Sequence, residues 1–333
     1  MSKPASGSDA LPPLVVGVDV GGSKIASALV DAKGNISARV RLPTDVSSPE
    51  ATLDSIASAV RQSLSAAGQD GTLVESVGLG IPGLVDAERG IGLASVNLGW
   101  RDVAVCAGLQ DRLGLPCAIE NDVRAAALGE ARFGAGRGLD SLVFLTIGTG
   151  IAAAFILEGK LNPGAHGLAG EIGHAVLDRD GPPCKCGGYG CFEAMASGPA
   201  IAASLAEKMR LAGRSHLPGN PAREPESLTA RDVFNLAAHG DRLAQDTVCE
   251  AAEIIAQAVQ LIALAYDPQV IVLGGGVAQA GSQLMDPLRS VLDRLAKENW
   301  VFGSVYSPDL LQISRLGEDI GILGAAALAI PIS

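Results

Sequence analysis

The sequence predicts an α/β protein made of two related domains. Three observations lead there. Strands alternate with helices along most of the chain, the pattern of sheets covered on both faces. A strand, Gly-rich turn and strand near the N-terminus recurs about 130 residues later. The 333 residues suffice for two domains at roughly 150 residues each.

Taken in order, residues 1–13 are rich in Pro, Ser, Ala and Gly without periodicity, the composition of a flexible tail. Residues 14–20 form a β-branched run, Gly21-Gly22-Ser23 a turn, 24–31 a second strand and 36–42 a third. A helix is expected over 49–67, a buried strand over 76–81 and a Pro82-Gly83 turn, followed by a helix near 103–113, a strand at 116–119 and a helix from Asp122. The opening plan then returns as a strand at 142–147, the turn Gly148-Thr149-Gly150 and a strand at 151–157. Side by side, Asp19 matches Thr146, Gly21 matches Gly148 and Ser23 matches Gly150, so each domain is expected to offer turn amides toward a common cleft. Beyond lie a loop-rich stretch over 162–197, a helix at 199–211, a polar loop at 212–227, helices at 229–238 and 241–266, a strand at 270–273 leading to Gly274-Gly275-Gly276, more helix, and a closing apolar helix at 319–330.

Composition narrows the function. With 48% hydrophobic residues and a mean hydropathy of +0.30, both cores can be filled. Lys and Arg number 25 against 36 Asp and Glu, a net charge of −11, the wrong sign for neutralising nucleic acid or anionic lipid. No apolar run reaches the ~20 residues of a membrane helix, and the N-terminus has no signal-peptide core. A cytoplasmic enzyme, without nucleic-acid or membrane partners, is the expectation.

The glycine turns come first among the chemical motifs. Asp19 followed by Gly21-Gly22-Ser23-Lys24 resembles a phosphate-handling turn: glycines let amides approach an anion, and a carboxylate can hold hydrated magnesium. A strand follows, which excludes the Walker and dinucleotide patterns. Gly274-Gly275-Gly276, between a strand and a helix, can line a nucleotide or serve as a tightly packed helix entry. Glu120-Asn121-Asp122 sits at a strand's end before a helix; Asn and Asp are good caps, and a carboxylate there can also accept a hydroxyl proton during phosphoryl transfer.

Cysteines divide into two groups. Cys106, Cys117 and Cys249 lie in apolar settings and read as small core residues. His174 with Cys184, Cys186 and Cys191 forms a Cys₃His set in Gly-rich polar sequence, which suits tetrahedral structural zinc.

Together the motifs resemble the ROK group of repressors and sugar kinases. The resemblance runs from Leu14 to Ile330 and is carried by Asp-x-Gly-Gly-Ser-Lys, Glu-Asn-Asp, Gly-Thr-Gly, Ala-Gly-Glu-Ile-Gly-His and Cys-x-Cys-Gly-x-x-Gly-Cys-x-Glu, in that order. It implies an actin-like, hexokinase-like (duplicated ribonuclease H-like) fold with an interdomain cleft, one domain over 14–122 on which the helix at 319–330 is expected to pack back, and a second over 123–318 with a zinc-binding insertion at 162–197. It also implies Asp122 as the base, and Asn121, Asp122, Glu171, His174 and Glu193 as sugar ligands, with Gly83 and Asn97 lining that pocket. Zinc falls to His174, Cys184, Cys186 and Cys191. ATP and magnesium fall to Asp19, Gly21, Gly22, Ser23, Lys24, Thr149 and Gly150, with Gly274, Gly275 and Gly276 beside the nucleotide. The expected assembly is a homodimer or homotetramer. Two features depart from the group: Ala152-Ala153-Ala154 replaces further glycines, which is expected to stiffen the second hairpin and leaves its effect on the nucleotide side open, and His166 stands where Asn is common. Only 13 residues precede the first strand, so a repressor's DNA-binding domain is not expected. Phosphorylation of glucose on its hydroxymethyl oxygen is the favoured reaction; kinases of N-acetylmannosamine or N-acetylglucosamine, and a non-catalytic sugar-sensing regulator, are the alternatives.

Overall fold

The computed structural model describes residues 14–66, 68, 74–217 and 224–330, so the tail expected over 1–13 and part of the loop expected over 212–227 lie outside the described residues. The chain divides into two units, 1–129 with 316–333, and 130–315.

The first unit contains β1 (Leu14–Val20), β2 (Lys24–Asp31), β3 (Ile36–Pro43), α1 (Pro49–Ala66), β4 (Val74–Ile81), β5 (Leu84–Asp86), β6 (Ile91–Ser95), β7 (Trp100–Ala104), α2 (Val105–Leu113), β8 (Cys117–Asn121) and the start of α3 (Asp122–Phe133). Its main sheet has the order β3-β2-β1-β4-β8. The hairpin strands β1, β2 and β3 are antiparallel, whereas β4 and β8 run parallel to β1. β1 and β4 are buried nearly throughout, as central strands covered on both faces must be.

In the second unit follow β9 (Leu142–Ile147), β10 (Ile151–Leu157), β11 (Lys160–Asn162), α4 (Phe192–Ala196), α5 (Gly198–Leu211), α6 (Ala230–Ala238), α7 (Arg242–Tyr266), β12 (Val270–Gly274), α8 (Gly275–Ala278), α9 (Ser282–Glu298), α10 (Trp300–Val305) and β13 (Leu311–Ile313). The sheet order is β11-β10-β9-β12-β13, with the same pattern of antiparallel and parallel neighbours. The duplication is therefore structural. Asp19 pairs with Ala26 and Gly80, and Thr146 pairs with Ala152 and Gly274, in equivalent registers. One part of the sequence match needs correction. The last hairpin pairs are Val20 with Ile25 and Ile147 with Ile151, so the first turn is one residue longer and Gly150, counted from the second strand, corresponds to Lys24 rather than Ser23.

Several elements differ from the sequence reading. A three-stranded sheet, β5-β6-β7, occupies the stretch between the Pro82-Gly83 turn and the next helix, to which the sequence assigns no element, and β7 runs to Ala104, so that helix begins at Val105 rather than residue 103. Strands of three to five residues are too short to display alternation. The first division falls after Gly129, not Asp122, because Gly129 packs directly on Gly324 of the C-terminal helix Ile320–Ala329. That helix crosses the first unit's sheet at Gly17 and Gly78, where a Cβ would overlap the carbonyls of Ile322 and Ala325. Gly78→Ala is therefore expected to cost about 2 kcal/mol through forced backbone displacement, measurable by urea denaturation.

α7 qualifies the absence of a membrane-length run. Its 25 residues are long and apolar enough to cross a bilayer by length and composition, yet half of the most apolar window is buried within the protein, and Ile255, Val259 and Ile262 lie in the second unit's core. It is the central core helix of that unit.

Candidate functional site

In the first unit the candidate residues gather at the C-terminal ends of β1, β4 and β8, where parallel strands leave their carboxyl ends open. Asn121 ends β8 and caps α3: its Oδ1 accepts from the amides of Val123, at 3.0 Å, and Arg124, at 3.2 Å. Its Nδ2 donates to Gly83 O at 3.1 Å and to Asp122 Oδ1 at 3.0 Å. Below, the Glu120 carboxylate accepts from Arg124 Nε at 2.7 Å and from the Asn121 amide at 2.7 Å, a buried clamp on the strand–helix junction.

The capping duty thus belongs mainly to Asn121, which leaves Asp122 for other work. Asp122 Oδ1 also takes the Val123 amide at 2.9 Å, while Oδ2 has no hydrogen-bond partner among the described residues. Burial, with a smaller push from the negative charge of Asp19, raises the Asp122 carboxyl to about 6. Asp19, at the end of β1, is also raised by burial, against the pull of Lys24 and Arg41. Two partly desolvated carboxylates that repel each other fit a site that receives a hydrated divalent ion.

The turn after Asp19 is held by its carbonyls. Gly21 O accepts from Thr44 Oγ1 at 2.7 Å and Ser23 O from the Thr44 amide at 3.1 Å. The Gly22 and Ser23 amides have no acceptor among the described residues and remain available to an anion. Gly22 is packed against Asn97, whose carbonyl would lie 2.8 Å from a Cβ there. Gly83 (φ +105°) abuts Ala94 and Ser95, so Gly83 and Asn97 both belong to this end of the unit.

The second unit repeats the turn with different fasteners. Gly148 O accepts from the Gly198 amide at 2.8 Å, Gly148 N donates to Gly150 O at 2.9 Å, and Ile151 N donates to Glu193 Oε2 at 2.9 Å. Here too the Thr149 and Gly150 amides lack protein acceptors among the described residues. Glu193, expected as a sugar ligand, thus spends one oxygen on the hairpin and keeps Oε1 for another partner. A cavity of about 630 Å³ opens beside this turn, lined by Gly148, Thr149, Pro199, Leu228, Arg231 and Gly276 among others. A second, of about 320 Å³, shares Arg231, Gly276 and Gln279 with it. Gly275 (φ +85°) leaves no room for a side chain against Ile147 O. Ala152, Ala153 and Ala154 do not narrow either cavity. Ala153 and Ala154 are 3% and 0% exposed in the core, and none of the three lines either cavity.

Glu171 is exposed at the start of the 3₁₀ turn Ile172–His174, and that turn lies on β10: Ala153 N donates to Gly170 O at 2.7 Å. His174 then meets the cysteines. Its Nδ1 is 3.7 Å from Cys184 Sγ, Cys186 Sγ is 3.6 Å from Cys191 Sγ, and all four ligand atoms lie within 4.8 Å of one another. Thiolate sulfurs about 2.3 Å from a tetrahedral ion sit roughly 3.8 Å apart, so the donor set fits a closed divalent site. Gly187 and Gly190, at φ +94° and +64°, turn the chain so that the three cysteines converge.

Comparison with known proteins agrees with this arrangement. The sequence profile of the ROK family matches residues 15–331. The chain belongs to the ROK family. Among similar members are the glucokinase of Thermotoga maritima, 36% identical over 94% of this chain and 96% of that protein, and the glucokinase of Streptomyces coelicolor, 33% identical over 95% and 97%. The crystal structure of a ROK family glucokinase from Streptomyces griseus in complex with glucose and AMPPNP superimposes with a TM-score of 0.76 at 33% identity, over 95% of this chain and 98% of that one. This ROK-family chain accordingly has the two-domain actin-like, hexokinase-like fold, its two units being the duplicated halves.

Thr44, Gly198 and Arg231 are site-side residues that the sequence does not mark. A lone Thr on a strand end, a Gly-Pro helix start and an Arg in a helix's first turn carry no spacing signal. They acquire meaning only from what the fold sets beside them.

Proposed function

We propose that the protein is an ATP-dependent glucokinase that transfers the γ-phosphoryl group to the hydroxymethyl oxygen of glucose, giving glucose 6-phosphate, and that it works in the cytoplasm. The observation that carries the reaction is Asp122: a carboxylate raised by burial, fixed through one oxygen and open at the other. Glucose as acceptor is supported by the glucokinases to which the chain is similar.

In this reading Asn121 fixes the carboxylate's orientation, and Asp122 Oδ2 accepts the proton of the attacking hydroxyl. The free amides of Gly22, Ser23, Thr149 and Gly150 donate to phosphate oxygens, which concentrates fixed positive dipoles where charge accumulates. Asp19 would hold the hydrated magnesium ion that accompanies ATP and offsets the charge of the phosphates. Glu171, His174 and Glu193, with Gly83, Asn97 and Asn121, bind and orient the sugar. His174, Cys184, Cys186 and Cys191 would hold structural zinc, which supplies rigidity to 162–197 and no open coordination position. With Nδ1 turned to the cysteines, the other ring nitrogen of His174 is left to donate to a sugar hydroxyl.

A base must be ionised to act, so kcat is expected to rise with pH through about 6 and level off above it. The stability effect has the opposite sign. The folded carboxyl is raised above its ordinary value, so the native state binds more protons between the two, and the contribution of Asp122 to stability falls as pH rises through that window. A coupled ADP-release assay with glucose, mannose, fructose, N-acetylglucosamine and N-acetylmannosamine tests the reading. Glucose is expected to give the highest kcat/KM; a preference for an N-acetyl sugar would reassign the acceptor, and sugar-independent silence would mark a regulator.

A further inference from the structure

The carboxylate of Asp19 is half-buried at the end of β1, yet no hydrogen bond among the described residues fixes where it points. Lys24 and Arg41 act on it through their charge alone. What touches it is the C-terminal helix. A Cβ at Gly321, in the first turn of that helix, would lie 2.5 Å from Asp19 Cγ, 2.7 Å from Oδ2 and 2.9 Å from its Cβ. The helix backbone is therefore one wall of the place that the carboxylate occupies. The 3₁₀ turn leading into the helix, Gly317–Asp319, is tied to β3 by two ion pairs, Arg39 with Asp319 at 2.7 Å and Arg41 with Glu318 at 2.9 Å, and the helix itself rests on β1 and β4 at Gly17 and Gly78.

The glycines around this helix are not alike. At Gly17, Gly78 and Gly324 an added methyl group would meet backbone, the carbonyl oxygens of Ile322, Ala325 and Ala125. A strand or helix backbone moves only with the whole element, so those three glycines serve packing. At Gly321 the three nearest atoms all belong to one side chain, which can turn about its χ1 to another staggered position. A methyl group there displaces the Asp19 carboxylate and leaves the fold in place. We propose that Gly321 is a positioning residue for the transfer: its lack of a side chain keeps open the place that the Asp19 carboxylate occupies, and so sets the direction from which that carboxylate meets the hydrated magnesium ion of the nucleotide. The proposal rests on the kinase reading above and adds to it a residue from the far end of the chain. A carboxylate that no donor holds depends on packing for its orientation, and a misplacement of about 1 Å can cost about a hundredfold in rate.

The test compares the wild type with Gly321→Ala, Asp19→Asn, the double variant and Gly78→Ala. It reads the free magnesium that half-saturates kcat, the binding of Mn²⁺ in the presence of ADP by electron paramagnetic resonance, glucose binding by calorimetry, and Tm. Gly321→Ala should lower kcat by about 10–100-fold and raise both the magnesium requirement and the Kd for Mn²⁺ by about tenfold, with glucose affinity within about twofold. Its Tm should not fall, since alanine suits a helix better than glycine. Gly78→Ala should melt lower and keep the wild-type metal requirement. In the Asp19→Asn background, Gly321→Ala should add less than about twofold, because the carboxylate through which it acts is gone. Wild-type Mn²⁺ binding in Gly321→Ala, a full further loss in the double variant, or an equal metal shift in Gly78→Ala would overturn the proposal; if Gly78→Ala does not fold, the double variant decides alone. Weaker Mn²⁺ binding that depends on Asp19, in a protein that phosphorylates no sugar, would support the positioning role and overturn the kinase reading instead.

Discussion

Asp122→Asn is expected to lower kcat with glucose by about 10²–10⁴-fold, the usual contribution of a general base, while glucose affinity stays within about threefold. The amide preserves the shape and the hydrogen bond from Val123, but its oxygen cannot take up the hydroxyl proton. Because the wild-type carboxyl is held at about 6 by burial, ionised Asp122 is a destabilising group at neutral pH. The variant should therefore melt at a higher temperature than the wild type at pH 7.5, and that difference should shrink toward pH 4 as the wild-type carboxyl protonates. Loss of turnover accompanied by gain of stability separates a catalytic carboxylate from a helix cap, whose removal would lower stability. Near-normal turnover in Asp122→Asn, read by coupled ADP release, would return the residue to a capping role.

Cys184→Ala is expected to remove bound zinc, raise the KM for glucose by about tenfold or more, and leave ATP binding within about threefold. The asymmetry follows from where the ligands lie in the chain. Glu171 stands three residues before His174, and Glu193 two residues after Cys191, so the cluster would fix both segments that carry the carboxylates proposed as sugar ligands. The segment 162–197 has little regular structure of its own to hold it, one 3₁₀ turn and the five-residue helix α4 among the described elements after β11. The cavities beside Gly148 and Gly276 are lined by none of the four cluster residues. Elemental analysis together with calorimetry for sugar and for nucleotide decides the matter, and a zinc-free protein with normal glucose affinity would sink it.

What could be read from the sequence follows from how local each signal is. The strands β1, β4, β9 and β12 announce themselves because they are buried over most of their length and rich in Val, Ile and Leu, interrupted by few polar residues such as Asp19, Glu75 and Thr146. The Cys₃His cluster was legible because its ligands fall within one short stretch, and the fold brings them together as their chemistry requires. The short sheet β5-β6-β7 was not, since its strands turn on Asn97 and Gly99 with too few residues to show a period. Glu193 shows a different limit. Its place beside Cys191 marks it as a site residue, but its bond to the Ile151 amide joins positions 42 residues apart, a contact that only the folded chain displays. Likewise Gly78 reads as an interruption in a strand until the C-terminal helix is seen crossing it.

In the proposed reaction the phosphoryl group passes from ATP to one sugar oxygen, with Asp122 taking its proton. Phosphorus NMR of the protein with ATP, magnesium and glucose tests it most directly. A single new phosphomonoester resonance is expected, that of glucose 6-phosphate, growing in step with ADP and at least about a hundredfold slower with Asp122→Asn. Inorganic phosphate released at the same rate with or without glucose, or a monoester on another sugar hydroxyl, would contradict it.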